Sequence, residues 1–99
     1  MKNTGLSKEN ITNFLKENKI RFKKYGVVKI GLFGSYVNEK NKKRSDVDIL
    51  VEFNKGTFDN YLGLRGDLEK KLHAKVDLVS IKALKNRMKS YILKEVKWV

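Results

Sequence analysis

The segment from residue 46 to residue 53, DVDILVEF, constrains the fold of this chain more than any other. Its apolar residues alternate with period two, as in a strand with one buried face: Val47, Ile49, Val51 and Phe53. The same alternation places Asp46 and Asp48 together on the opposite face. Aspartate is depleted in strands, and like charges on one strand face repel each other. The pattern therefore indicates a strand whose polar face serves a purpose other than stability.

A divalent cation would turn the repulsion between these two carboxylates into attraction. Side chains on one strand face recur roughly every 6.5 Å, so Asp46 and Asp48 converge on a point just off the sheet. Mg²⁺ accepts a few carboxylates and keeps positions for substrate phosphates. Asp77 lies in another apolar segment, 75–79, which we also expect to be a strand. If this strand is a neighbour of the strand at 46–53, the carboxylate of Asp77 can join the pair. Three carboxylates can hold two metal ions, an arrangement suited to in-line displacement at phosphorus.

A Gly-Ser pair follows the apolar segment 27–33 and supplies a candidate phosphate site. Gly34 allows a phosphate to approach the backbone closely, and the hydroxyl and N–H groups of such a turn can bind its oxygens. Taken alone, a Gly-Ser pair is a weak signal. Its distance of ten residues from the Asp46-x-Asp48 pair, with Asp77 beyond, makes the combination a strong one.

The other segments alternate between helical and strand-like patterns. We expect helices at three places: a helix capped by Ser7 and ending at Gly26, a helix marked by Tyr61, Leu64, Leu68 and Leu72, and a helix from Ala83 to Ile92. We expect strands at 27–33, 46–53 and 75–79. This order predicts an α+β fold in layers, with helices packed on a small mixed sheet in a single domain.

Composition narrows the classes of protein that fit. The chain has no cysteine, so disulfides and thiolate metal sites are excluded. Its longest apolar segment, 27–33, contains Lys29 and falls far short of the ~20 residues that a membrane helix needs. No apolar signal core is evident near the N-terminus. These features lead us to expect a cytoplasmic protein without a membrane partner.

The pattern Gly-Ser-x(10)-Asp-x-Asp resembles the signature of the nucleotidyltransferase superfamily that includes DNA polymerase β. It is most similar to the stand-alone minimal nucleotidyltransferases (MNT), which are often the antitoxin half of HEPN–MNT toxin–antitoxin pairs. The similarity extends over four segments: LFGSY at 32–36, SDVDILVEF at 45–53, VDLV at 76–79 and YILKEVKWV at 91–99. The resemblance thus covers most of the chain and implies a nucleotidyltransferase fold, with residues 1–99 as one minimal nucleotidyltransferase domain.

The same resemblance implies a role for each candidate residue. Gly34 and Ser35 would bind the nucleoside triphosphate, and Asp46 and Asp48 would carry the Mg²⁺ ions, of which we expect two. Asp77 would help to bind the catalytic metal and would activate the acceptor hydroxyl. The family transfers a nucleoside monophosphate to a hydroxyl and releases pyrophosphate. The implied reaction is transfer of AMP, or another nucleotide, from ATP or another triphosphate to a partner protein, with a tyrosine of a HEPN ribonuclease toxin as the expected acceptor.

One position departs from the family pattern. Members often carry Ala-Arg-Gly shortly after Gly-Ser, whereas Val37-Asn38-Glu39 stands in those places here. The phosphate contact of that arginine would then fall to one of four neighbouring basic residues: Lys40, Lys42, Lys43 and Arg44.

A second class of function stays open at this point. The net charge of +12 would attract polyanions, although 19 of the 23 basic residues are lysine rather than the forked arginine that specific contacts favour. A non-catalytic binding antitoxin or an RNA-binding protein of the same fold is therefore the alternative, with nucleic acid the less favoured partner. For Asp77 the alternative is a solvated carboxylate, and we expect His73, the single histidine, to be a surface residue.

Overall fold

The computed structural model describes residues 6–38 and 46–99. Its α-helices are α1 (Lys8–Glu17), α2 (Phe58–Leu72) and α3 (Asn86–Glu95). Its strands are β1 (Val27–Phe33), β2 (Val47–Phe53), β3 (Val76–Ser80) and β4 (Lys97–Trp98). Short 3₁₀ turns lie at Arg21–Tyr25, Gly34–Tyr36 and Ile81–Ala83. No helix in this described part is long and apolar enough to cross a membrane.

The strands form one mixed sheet in the order β3-β2-β1-β4. β1 runs antiparallel to β2 and to β4, whereas β2 and β3 run parallel. A parallel pair requires a crossover connection, and α2 supplies it between β2 and β3. The predicted α+β fold with a small mixed sheet is confirmed. The fourth strand was not predicted, because two residues are too few to show an alternation.

The main core lies between one face of the sheet and the first two helices. The predicted apolar face of β2 is buried there, and Val47, Ile49 and Val51 are fully inaccessible to solvent. Helical residues of the same cluster are Ile11, Leu15, Leu64, Leu68 and Leu72. Because side chains alternate along β2, burial of this face directs Asp48 to the other side of the sheet.

The first helix is shorter than the sequence predicts. Ser7 caps α1 as expected, since its hydroxyl accepts the N–H of Asn10 at 3.0 Å. The helix ends at Glu17, where the side-chain amide of Asn18 donates to the carbonyl of Phe14 at 2.9 Å. The chain then continues into the 3₁₀ turn at Arg21–Tyr25, which ends at Gly26 with φ +77°. Gly26 is thus the predicted stop, although it terminates a 3₁₀ turn and not α1.

The second helix packs closely against that 3₁₀ turn through a glycine. A Cβ on Gly63 would lie 2.6 Å from Cε1 of Tyr25, so the ring of Tyr25 requires a glycine at this position. The Tyr25 hydroxyl donates a hydrogen bond to the Asp67 carboxylate one turn later on α2. This hydrogen bond, followed by burial, raises the pKa of Tyr25 above its usual value. The helix ends at Leu72, and the next residue, His73, has φ 53° and is exposed as predicted.

Candidate active site

The turn after β1 places Gly34 directly against Asp48. Phe33, the last residue of β1, is the register partner of Asp48 on β2. Gly34 has φ +78°, a backbone conformation that residues other than glycine rarely adopt. A Cβ at this position would lie 2.1 Å from Oδ2 of Asp48. The glycine of the predicted Gly-Ser pair is therefore required both by its backbone and by the neighbouring carboxylate.

Asp48 and Asp77 are register partners on the parallel strands β2 and β3. The conditional prediction that these two strands are neighbours is confirmed. Burial, which is the largest cause, and the negative charges of Asp77 and Asp46 together raise the pKa of the half-buried Asp48 to about 6. The N–H of Ser35 opposes this effect by hydrogen bonding to the Asp48 carboxylate. The structure thus brings Gly34, Ser35 and all three predicted aspartates to one end of the sheet.

The aspartates differ in exposure, which limits what they can hold by themselves. Asp46 lies just before β2 and is exposed, as is Asp77, whereas Asp48 is partly buried. Within residues 6–38 and 46–99, no group of three or more acidic, histidine or cysteine side chains is arranged to hold a metal ion. Mg²⁺ commonly takes only one or two carboxylates and completes its shell with water and phosphate oxygens. The concentrated negative charge around Asp48 fits such a substrate-completed site.

Both backbone donors of the Gly-Ser pair bind carboxylates. The Ser35 N–H donates to Asp48, and the Gly34 N–H donates to Oε1 of Glu95 at 2.6 Å. Glu95, the last residue of α3, was not predicted as part of the site. The sequence of α3 does not distinguish Glu95 from other polar residues. Only the tertiary fold brings its side chain to Gly34. With both N–H groups engaged, the hydroxyl of Ser35 is the further donor that the pair can offer to a ligand.

Of the three residues that depart from the family pattern, Val37 and Asn38 lie within the described part of the chain. Val37 and Asn38 continue the turn, and their N–H groups donate to the Gly34 carbonyl at 3.0 and 3.1 Å. Glu39 lies outside the described residues. The basic residues considered as replacements for the missing arginine lie outside them as well: Lys40, Lys42, Lys43 and Arg44.

Comparison with known families identifies the family of this chain. The family model for polymerase beta nucleotidyltransferases matches residues 9–99. The chain belongs to this nucleotidyltransferase family. It is accordingly an enzyme of the nucleotidyltransferase class, as the Gly-Ser and Asp-x-Asp spacing predicts.

Individual relatives are similar to this nucleotidyltransferase over nearly its whole length. Protein adenylyltransferase MntA of Thermococcus cleftensis is 38% identical over 96 residues, covering 95% of this chain and 97% of the relative. A solved structure described provisionally as a minimal nucleotidyltransferase shares 27% identity and superposes with a TM-score of 0.82, covering 96% of this chain and 98% of that one. The minimal nucleotidyltransferase fold is therefore confirmed.

A third similarity supports the fold alone. A chain from a complex of a tri-AMPylated Shewanella oneidensis HEPN toxin with its MNT antitoxin superposes with a TM-score of 0.62 at 21% identity. The match covers 87% of this nucleotidyltransferase and 69% of that chain.

Proposed function

We propose that this chain, acting as one minimal nucleotidyltransferase domain over residues 1–99, transfers AMP from ATP to a hydroxyl of a partner protein. The expected partner is a HEPN-type ribonuclease toxin, the expected acceptor is one of its tyrosines, and the protein acts as the antitoxin. The observation that carries the proposal is the nearly full-length similarity to the Thermococcus cleftensis relative, whose name describes protein adenylylation. The geometry around Asp48 supports the transfer chemistry, and the relative supports a protein acceptor.

The residues of the site would divide the reaction between them. The hydroxyl oxygen of the acceptor attacks the α-phosphorus of ATP, a new P–O bond forms, and the bond from the α-phosphorus to the bridging oxygen breaks. Pyrophosphate leaves with that electron pair. The exposed Asp77 carboxylate receives the proton of the hydroxyl, and Ser35 donates its hydroxyl hydrogen to a phosphate oxygen.

The aspartates would bind a divalent cation together with phosphate oxygens of the substrate. Asp46, Asp48 and Asp77 would hold Mg²⁺, which when bound supplies positive charge against the triphosphate and the leaving pyrophosphate. This role agrees with the raised pKa of Asp48, since the causes of that shift include two neighbouring negative charges. Two such ions, as expected from the sequence, are part of the proposal.

Exposure of the site favours a macromolecular acceptor. Asp46 and Asp77 are both open to solvent, and no second domain covers them within the described residues. A partner protein would supply the missing wall together with the hydroxyl, and so exclude water from the reacting atoms. The net charge of +12 would speed its approach if the docking surface of the partner is acidic.

Adenylylation would silence a ribonuclease by electrostatics. An attached AMP places negative charge where the toxin must bind RNA phosphates. A single modified tyrosine near the ribonuclease site would therefore be sufficient for the antitoxin effect.

The direct test is incubation with a HEPN-type protein encoded beside the gene for this chain. The purified pair, ATP and Mg²⁺ are mixed, the intact masses of both chains are recorded, and the modified residue is located by fragmentation. We expect one or more AMP groups on tyrosine of the partner and loss of its ribonuclease activity. Efficient modification of RNA ends or of small hydroxyl compounds, with none on the partner, would contradict the protein acceptor.

A further inference from the structure

Besides Asp48, a second carboxylate contacts the Gly-Ser turn, and neither the predicted motif nor the proposed reaction uses it. Oε1 of Glu95 accepts the Gly34 N–H at 2.6 Å, a short distance typical of a hydrogen bond to a charged acceptor. Gly34 is thereby held from two sides, since Asp48 lies against its Cα and Glu95 binds its amide.

The backbone that carries Glu95 is fixed to β1, the strand that ends at Phe33, directly before Gly34. β4 begins two residues after Glu95 and pairs with β1, with Lys97 opposite Leu32 and Trp98 opposite Gly31. The contact is so close that a Cβ on Gly31 would lie 2.8 Å from the Lys97 carbonyl oxygen. The carboxylate is therefore pre-positioned at Gly34 by the sheet itself.

Stability of the helix does not explain a carboxylate at this place. Glu95 is the last residue of α3, where the helix dipole disfavours negative charge. It also lies on the same glycine as Asp48, whose own charge is already disfavoured by Asp46 and Asp77. A neutral glutamine would offer the same acceptor atom to Gly34 without either penalty.

We propose that Glu95 is a positioning residue of the transfer site. A glycine at φ +78° has access to many other conformations, so a turn built on it needs an external anchor to keep one shape. By binding the Gly34 N–H, Glu95 holds the turn in the conformation in which Ser35 and Asp48 face the nucleotide. The kinetic part of this inference rests on the proposed AMP transfer, whereas the anchoring part does not.

The opposite role would be competition, in which Glu95 blocks the Gly34 N–H against the phosphate of the nucleotide. The experiment below distinguishes this role from positioning. A backbone N–H has a single hydrogen, so a phosphate oxygen that used the Gly34 N–H would have to displace Glu95. Removal of the side chain would then tighten nucleotide binding. Under the positioning role it slows the reaction instead and leaves binding of ATP nearly unchanged.

The experiment compares Glu95→Gln, which keeps an acceptor oxygen, with Glu95→Ala, which removes it. Glu17→Gln is the matched control, because Glu17 is the last residue of α1 and is exposed far from the Gly-Ser turn in the chain. Amide hydrogen exchange at Gly34 and Ser35 is measured by NMR without nucleotide. Melting temperature, kcat and the KM for ATP are then measured for all four proteins.

We expect Glu95→Ala to accelerate exchange at Gly34 and to lower kcat, each by about tenfold or more, with little change in KM. Glu95→Gln keeps kcat within about threefold of the parent and melts at an equal or higher temperature. Glu17→Gln changes neither exchange at Gly34 nor kcat. Three results would overturn the proposal. They are an equal loss of kcat in both Glu95 variants, unchanged amide exchange at Gly34 in Glu95→Ala, and tighter binding of ATP in both variants. If the parent protein transfers no AMP, the proposed function fails, and the exchange comparison still decides whether Glu95 anchors the turn.

Discussion

Asp48, which is half-buried, and Asp77, which is exposed, lie opposite each other in register on two parallel strands, where their like charges destabilise the fold. Burial and the neighbouring carboxylates raise the pKa of Asp48 to about 6. A folded protein accepts such an arrangement only at some loss of stability, since the unfolded chain would separate the charges. This loss of stability is consistent with the role in AMP transfer that we propose for the pair.

Replacing Asp48 should make the metal-free protein more stable at neutral pH. A raised pKa in the folded state gives a stabilising contribution that is present below the unfolded pKa and lost as pH rises through about 6. Asp48→Asn should therefore increase the free energy of unfolding near neutrality by up to about 1 kcal/mol, after allowance for solvent screening at this partly exposed site. Urea unfolding in the presence of a chelator, at neutral and at acidic pH, measures the difference.

The matched control for this prediction is Asp59→Asn. Asp59 is exposed in the first turn of α2, where the helix dipole favours a negative charge, so its loss should slightly destabilise the protein. If Asp48→Asn and the parent protein lose stability in parallel across the same pH range, the electrostatic interpretation of the site is wrong.

Gly34→Ala should impair both the fold and the reaction. The left-handed backbone and the contact with Asp48 together cost about 1–2 kcal/mol or more. AMP transfer should fall much further than the unfolded fraction explains, because the new methyl group displaces Asp48. Urea unfolding and transfer rates, measured at a temperature where the variant is fully folded, separate the two effects. A folded variant with parental activity would show that close approach of Gly34 to Asp48 is not needed.

Asp77→Asn should slow the chemical step more than it weakens nucleotide binding. If Asp77 takes the proton of the acceptor, its loss appears mainly in kcat, while Asp46 and Asp48 still support binding of the Mg²⁺–ATP complex. Calorimetric titration with Mg²⁺–ATP measures the affinity of the parent and the variant, and steady-state rates give kcat for the same two proteins. An equal drop in ATP affinity for the asparagine variants of all three aspartates would mean that Asp77 is simply another ligand of the same ion.

Two glycines of α2 should respond to alanine in opposite directions. A Cβ at Gly63 would meet the Tyr25 ring at 2.6 Å, whereas a Cβ at Gly66 has nothing within 4 Å. Gly66→Ala should stabilise the protein by up to about 1 kcal/mol through helix propensity. Gly63→Ala should destabilise it by about 1–3 kcal/mol through overpacking. Thermal melts of both variants provide the test, and a change of the same sign in both would contradict the packing of Tyr25 on α2.

Periodic patterns allowed much of this fold to be predicted from sequence. Alternation over 47–53 identified β2 and its buried face, and the leucines of α2 recur at helical spacing. The end of α1 was missed because Leu15 and Phe22 are seven residues apart, which is close to two helical turns. A continuous helix and a helix followed by a 3₁₀ turn then present the same pattern.

The parts of the site that escaped prediction depend on contacts between distant segments. The proximity of Asp48 to the Gly-Ser pair could be predicted because their spacing in the chain is short and characteristic. Glu95 could not, because nothing near it in sequence distinguishes it from a solvated helix residue. Its position depends on β4, whose two residues pair with β1 more than sixty residues earlier.

The most direct measurement of the central claim uses ATP labelled with ³²P at either the α- or the γ-phosphate, incubated with Mg²⁺ and the HEPN partner. We predict that label from the α-position appears on the partner protein, that label from the γ-position does not, and that Asp48→Asn abolishes the signal. Transfer of the γ-label, or transfer of the α-label by Asp48→Asn at the parental rate, would contradict nucleotide transfer at this site.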